Sequence, residues 1–402
     1  MQALRQMLRG KKDSCRDTIE SKKGQWKKRQ NWIFCIVMGL LCAALYFAPS
    51  PFPERVPANS TREKVRILSV DNSQLQPLGI VYSGAQETQA EVLSGKMRGT
   101  VLNAVNHLNA ALDKDKHFVP GDTALVILHQ ENGKATYATL IDHYRMDTEG
   151  FLFLLFLLLL VLVGGAAGFG AFISLIASLL IIWKVLIPLL LMGWPPILSA
   201  FLVVLLLTGL IMYLVGGFTK KATAALFGSM LGTGLTCVLA VAFGKALKLD
   251  GGSIPYVVPL LSQTSLQLNI RDLFFAMVFL GSSGALMDLA MDVASASHEV
   301  IQHHPGISRM ALMKSGFSVG RSVVGTMTTT LMLAYSGSYL SMLMYFVGQG
   351  TPVVDLINYK FVAAEILTTL VGSFGLVTVA PFTALVASVM YLPKEKKKDS
   401  PL

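Results

Sequence analysis

Charge is scarce in this chain. Asp, Glu, Lys and Arg make up 14% of its 402 residues, against roughly 25% in an ordinary soluble domain. With 53% hydrophobic residues, too little polar surface remains to dissolve a globule of this size, so soluble and disordered classes are excluded. Cysteine is scarce too. Cys15, Cys35, Cys42 and Cys237 are the whole set. None falls in 50–149, which excludes a disulfide framework there. Cys35, Cys42 and Cys237 lie in apolar runs and read as small apolar residues. The P-loop GxxxxGKS/T, GxSxG, HExxH and CxxC patterns are all missing, so ATPase or familiar hydrolase chemistry would need a partner chain. The chain is therefore not read as an enzyme, and no resident cofactor is expected. No clear inverted repeat of the secondary-transporter kind stands out.

The few charges are sorted along the chain. Residues 1–31 hold ten basic and three acidic side chains, 50–149 hold ten and twelve, 150–392 only ten and seven, and 393–402 four and two. Basic excess at both chain ends, beside apolar runs, follows the positive-inside pattern and not a nucleic-acid footprint, so no nucleic acid is expected as partner.

From Gln30 to Pro53 there is no charge. This run allows a signal peptide, but proline beside any cut in Ala48-Pro49-Ser50-Pro51 is unfavourable. The preferred reading is a retained span at 32–49. Further spans of about 20 residues are expected near 150–166, 170–192, 197–217, 222–246, 272–291, 321–345 and 362–391. Turns are supplied by Gly164-Gly165-Ala166-Ala167-Gly168-Phe169-Gly170 and by Trp194-Pro195-Pro196. An even count puts the N-terminus, Lys220-Lys221 and Lys394–Lys398 all in the cytoplasm. The expected fold is an α-helical polytopic membrane protein of about eight transmembrane helices, with a small β-rich extracytoplasmic domain between helices 1 and 2. It divides into a basic tail (1–31), helix 1 (32–49), the outer domain (50–149), a seven-helix membrane domain (150–392) and a second basic tail (393–402). The location follows as the plasma membrane, with both termini cytoplasmic.

In the outer domain, Val65–Val70 and Thr123–Leu128 read as strands, and Glu131-Asn132-Gly133-Lys134 as a hairpin turn before Ala135–Asp142. Thr100–Leu112 has helical periodicity and is ambiguous. A small barrel is expected. His107, His117, His129 and His143 lack metal-ligand spacing and read as solvated surface.

Four polar residues stand out near apolar sequence. Asp288, Asp292, Ser295 and Glu299 are spaced i, i+4, i+7, i+11, which puts three carboxylates and a hydroxyl on one helical face. Such groups usually face a bundle interior or a wet cavity. The alternative is a solvated helix end, with only Asp288 inside by one turn. Arg321 either pairs with Asp288 or Asp292 or snorkels to headgroups. Thr326 and Thr330 share a face near mid-span, and bonding to their own i−4 carbonyls is the competing reading. Glu365 lies one turn inside its span, with Lys360 as a local ion-pair candidate. These depths exclude one compact metal site on straight helices, and whether a metal binds is left open. Met287 and Met291 read as packing. Ser308–Phe317 is expected to form a short interfacial helix, and His303-His304 an exposed loop. Gly164/Gly168, Gly228/Gly232 and Gly316/Gly320 match the small-xxx-small spacing of close helix pairs.

Gly284-Ala-Leu-Met-Asp288-Leu-Ala-Met-Asp292-Val-Ala-Ser295-Ala-Ser-His-Glu299, followed by Gly320-Arg321, Gly325-Thr326-Met327, Thr330-Leu-Met-Leu-Ala-Tyr335-Ser-Gly337 and Glu365-Ile366, resembles the YibE/F family of bacterial multi-pass membrane proteins, in its YibE-like form with an outer domain. One departure is Thr329, where that pattern often has Asn. The resemblance implies a polytopic cell-membrane protein and carries no settled activity. It leaves a homo-oligomer or a YibF-like partner membrane protein as the expected company, besides the lipid bilayer. The functional expectation is a secondary transporter or permease for a small ion or solute. Asp288, Asp292, Ser295, Glu299, Arg321, Thr326, Thr330 and Glu365 would be its pathway. The alternatives are a non-transporting scaffold acting through the outer domain and, last, an intramembrane enzyme acting on lipid-linked substrates.

Overall fold

The computed structural model describes residues 30–52, 60–131, 134–263 and 268–392. The two basic tails, 1–29 and 393–402, and the tip of the expected hairpin turn, 132–133, lie outside them. The chain forms two compact units, one of residues 1–51 with 160–402 and one of 52–159. The second is inserted into the first.

The inserted unit holds strands β1 (Ser60–Asp71), β2 (Gln76–Leu78), β3 (Val81–Val92), β4 (Val101–Asn109), β5 (Thr123–Glu131) and β6 (Lys134–His143). They are ordered β1-β5-β6-β4-β3-β2, and β1 also pairs with β3, which closes a five-stranded barrel. All pairs are antiparallel except β4 with β6. Closure with one parallel pair is the Greek-key connectivity of an OB-type barrel. Glu131 pairs with Lys134, the register of a two-residue hairpin. The ambiguous segment Thr100–Leu112 resolves as β4. Leu102, Ala104, Asn106 and Leu108 alternate inward, and a period of two decides for a strand.

Val65, Ile67, Ala90, Val92, Val126, Leu128 and Phe118 fill the interior. Two amides are buried with them. Gln86 Nε2 donates to Asn72 Oδ1 (2.8 Å) and to the Phe118 carbonyl (3.0 Å), while its Oε1 accepts from Phe118 N–H and from Asn106 Nδ2 (both 3.1 Å). Asn106 Nδ2 also donates to the Lys116 carbonyl at 2.6 Å. These bonds tie the segment before β5 to the barrel interior. In the turn after β4, Asp115 accepts from the backbone N–H of Asn109 and Ala111, and these bonds hold its carboxyl below the usual range.

Seven helices among the described residues are long and apolar enough to cross a membrane. They are α1 (Gln30–Phe47), α2 (Met146–Gly165), α3 (Ala167–Leu191), α4 (Pro196–Gly216), α5 (Lys220–Ala246), α7 (Ile270–His303) and α11 (Lys360–Tyr391). Between them lie α6 (Val257–Gln263), α8 (Arg309–Ser338), α9 (Leu340–Gly348) and α10 (Val353–Asn358). α8 and α9 together form an eighth candidate, bent by 65°.

The glycine-rich segment between α2 and α3 doubles the chain back. Gly165 adopts φ 54°, ψ −129°, open to glycine alone at little cost. A Cβ on Gly168 would lie 2.1 Å from the Leu160 carbonyl oxygen. Eight residues of continuous helix would separate the two by about 12 Å, so only a reversal brings them together. In α3, Pro188 has no N–H for the carbonyl of Lys184, and the turn Ile182–Leu186 widens to π geometry there. Lys184 Nζ then reaches the Ala48 carbonyl at 3.1 Å, just past the end of α1. Cys35, Met38 and Cys42 of α1 are buried against Ile173, Ala177 and Leu210.

Helix starts carry side-chain caps: Thr219 accepts from Ala222 N–H, Asn269 from Asp272 N–H, and Ser308 from Ala311 N–H. The cap at Ser308 corrects the expected short interfacial helix. The helix that starts there runs unbroken to Ser338, because residues 309–320 bury one face, at Leu312, Gly316 and Gly320, against α7 and α11.

Two of the three expected glycine pairs pack against other helices of the chain, whereas a Cβ on Gly164 would meet nothing within 4 Å. α5 and α11 meet along an antiparallel seam. A Cβ on Gly228 would lie 2.0 Å from Thr383 Oγ1, one on Gly232 3.0 Å from Val379 Cβ, and one on Gly375 2.3 Å from Thr236 Oγ1. Gly316 likewise backs onto Ser297 and Ala384, and Gly320 onto Ala380 and Val293.

Candidate functional site

Close contacts set the register of α5, α7, α8 and α11. Gly244 faces Phe275 and Gly232 faces Leu286, so α5 and α7 are antiparallel. Continuing that register sets Asp288 level with Met230 of α5, about nine residues or 14 Å from Lys221 at about 1.5 Å per residue. Asp292 falls about 8 Å from the Lys221 level. α8 runs antiparallel to α7, with Val293 against Gly320, so Arg321 lies level with Asp292. α11 runs parallel to α7, with Gly372 against Ser282 and the Tyr391 hydroxyl donating to the Ala294 carbonyl at 3.0 Å.

On this scale Glu365 and Asp288 are separated by about 20 Å along the bundle. The residues singled out in the sequence therefore fall into two groups. Asp288, Asp292 and Glu299 are exposed along one stripe of α7, and Ser295 is half-buried on it. Arg321, Thr326 and Thr330 are exposed on α8. Thr330 Oγ1 donates to the Thr326 carbonyl (2.9 Å) and Thr326 Oγ1 to the Val323 carbonyl (2.9 Å), which is the local back-bonding alternative. Arg321 forms no ion pair with Asp288 or Asp292 among the described residues. The Lys360–Glu365 pair is absent as well. Lys360 Nζ instead reaches Asp250 Oδ1 at 2.5 Å. That pair holds the Asp250 carboxyl below its usual range, because the loop after α5 returns to the start of α11.

Glu365 belongs to the second group, at the junction of α7, α8 and α11. Its charge lies within electrostatic reach of Tyr335 and Tyr339, and the Tyr335 hydroxyl would lie 3.3 Å from a Cβ on Gly281. Among the described residues, Glu365 Oε1, the Tyr335 hydroxyl and Thr328 Oγ1 are buried without a hydrogen-bond partner. Thr328, Tyr335 and Tyr339 were not singled out from the sequence. The signal available was spacing, since Thr328 and Tyr335 are seven residues apart and share a helix face.

No group of three or more His, Cys, Asp or Glu is placed to hold a metal ion among the described residues. A large concavity, about 690 Å³, is lined by apolar side chains such as Phe201, Phe227, Leu231, Leu385 and Val389 and holds none of the candidate residues.

The family model described as YibE/F-like protein matches residues 152–393, more than half of the chain. The chain belongs to the YibE/F-like family. Comparison with curated proteins and with solved structures finds no match. The matched region contains both polar groups of this YibE/F-like chain, and the barrel lies outside it.

Proposed function

We propose that this YibE/F-like chain is a secondary transporter or permease of the cell membrane, not an enzyme, and that it moves a small ion or solute with carboxylates held inside the bilayer. In this reading both termini are cytoplasmic and the barrel is extracytoplasmic. One observation carries it. The Glu365 carboxylate keeps an oxygen buried and unpartnered, and the likewise unpartnered Tyr335 hydroxyl lies within reach of its charge. A buried polar atom without a partner costs about 1–3 kcal/mol, more when charged, so a carboxylate placed there favours an occupant that donates to it or is cationic.

Carboxylate and hydroxyl oxygens suit a proton or a hard cation such as Na⁺, Mg²⁺ or Mn²⁺. Glu365 and Tyr335 would form one station of the path. Asp288 and Asp292 would form a second, about 20 Å further along the bundle, with Ser295 and Glu299 at its inner mouth and Thr326 and Thr330 alongside. Two stations at different depths fit a path better than a fixed metal centre.

The test uses full-length protein in proteoliposomes with an imposed proton or cation gradient, read by an internal pH dye and by cation uptake. Glu365→Gln is expected to abolish coupled flux in a protein that still folds and elutes as the wild type does. Undiminished flux in that variant would sink the proposal. So would flux lost only on deleting the barrel, which would favour the scaffold reading.

A further inference from the structure

The concavity of about 690 Å³ is a groove between α4, α5 and α11, and every side chain lining it is apolar. It has the size of a ligand pocket, within about 300–1,000 Å³, and exceeds the small voids left between packed helices. Phe227, Leu231, Leu385 and Val389 are exposed along it, so it opens sideways from the bundle. The α5–α11 seam fixes its depth. Gly228 faces Thr383 and Gly232 faces Val379, and continuing that antiparallel register sets Val389 and Met390 level with Ala222 and Lys221. The groove therefore begins at the start of α5. Leu231 lies eleven residues beyond Lys220, about 16 Å along the helix. That is about half of the roughly 30 Å hydrocarbon core, the depth of one leaflet. A cation stands at its mouth. Lys220, Phe227 and Leu231 are spaced i, i+7, i+11 and share one stripe of α5. Lys220 is exposed and Lys221 half-buried, and neither forms an ion pair among the described residues.

We infer that this groove is a binding site for an anionic phospholipid, with one acyl chain laid along Phe227, Leu231, Leu385 and Val389 and the headgroup at Lys220 and Lys221. The two ends of the site match the two ends of that ligand: an apolar slot one leaflet deep, and positive charge where the leaflet meets water. Any lipid can touch an exposed apolar helix. A recess of this volume holds one chain in place, and the lysines at its mouth favour a headgroup with net negative charge over a zwitterionic one. In the orientation proposed above, the leaflet is the cytoplasmic one. Lipid binding there needs no transport, since the groove holds none of the pathway residues, and the test reads binding alone.

Full-length protein in detergent is stripped of lipid and titrated with phosphatidylglycerol or with phosphatidylcholine carrying the same oleoyl chains, and native mass spectrometry counts the lipid retained. The wild type is expected to keep one phosphatidylglycerol per 43.5 kDa chain and to bind phosphatidylcholine roughly tenfold more weakly. Lys220→Glu is expected to erase that preference. Val389→Trp tests the slot without touching a charge. Its position is exposed, so the added ring fills the groove and is expected to lower retention of both lipids while thermal melting of the lipid-stripped protein stays as in the wild type. Equal retention of the two lipids by the wild type would overturn the inference. Phosphatidylglycerol retention indifferent to Lys220→Glu or to Val389→Trp would do the same, as would a lipid-free dimer that Val389→Trp breaks apart, which would make the groove a protein contact.

Discussion

The α5–α11 seam makes a demanding prediction about Gly228. A methyl group added there would lie 2.0 Å from Thr383 Oγ1, 2.7 Å from its Cβ and 2.8 Å from its Cα. A rotamer change can move the hydroxyl but not the Cα. Carbon atoms in contact sit at about 3.5–4.0 Å, so the helices must part by about 0.7 Å or more. That gap extends to the next contacts, Gly232 on Val379 and Thr236 on Gly375. A radial gap of 0.5–1 Å forfeits about a quarter to a half of each dispersion well. Overpacking of this kind typically costs about 1–3 kcal/mol. Gly234 is the control. It lies in the same helix with nothing within 4 Å of its Cβ, and Gly234→Ala should be neutral or stabilising by up to about 1 kcal/mol through helix propensity. Thermal melting of detergent-purified protein, followed by intrinsic fluorescence, should place Gly228→Ala several degrees below wild type and Gly234→Ala at or above it. Thr383→Gly should recover part of the Gly228→Ala loss, because it removes two of the three clashing atoms. Equal melting of the two alanine variants would refute the reasoning.

Other expectations concern single contacts. Gln86→Leu leaves Phe118 N–H, the Phe118 carbonyl and the Asn72 side chain without their partner, at about 1–3 kcal/mol. Hydrogen exchange should show residues 116–119 losing protection while the β4 amides keep theirs. Asp115 has a depressed folded pKa, so its contribution is present above its unfolded value near 3.8 and is lost as pH falls through the lower, folded value. Asp115→Asn should lower barrel melting at neutral pH, where the ionised carboxylate contributes, and flatten the acid limb; an unchanged acid limb would contradict this. Lys360→Met removes the partner of Asp250, but both side chains are well exposed. The expected cost is about 0–1 kcal/mol, and a melting shift as large as that of Gly228→Ala would show the pair to be more than a surface contact.

Much of the membrane unit could be read from sequence because its signals are local. A charge-free run long enough to span declares itself, and Gly165 marks the reversal between α2 and α3 by composition alone. The segment Thr100–Leu112 stayed ambiguous because Val101 and Val105, set between the inward Leu102, Ala104, Asn106 and Leu108, give a pattern that also fits a helical period over so short a stretch. The start of α8 was missed because Arg309 and Lys314 read as interfacial, while Ser308 was already in place as its cap. Nonlocal facts were out of reach. No spacing rule links Lys360 to Asp250, closes β1 on β3, or pairs Gly228 with Thr383. The same holds for the candidate site. Each carboxylate was visible, yet the register of four helices was needed to show that Glu365 lies with Tyr335 and far from Asp288.

The inserted barrel has a consequence for how the protein can be divided. α1 is joined to the other spans through the barrel in sequence, but it is also held by the buried contacts of Cys35, Met38 and Cys42 and by Lys184 on the Ala48 carbonyl. A chain severed within the barrel loop at 110–116 would still have its first fragment bound to its second without a covalent link. Two separately synthesised fragments, one ending and one beginning in that loop, are therefore expected to assemble in the membrane and co-purify.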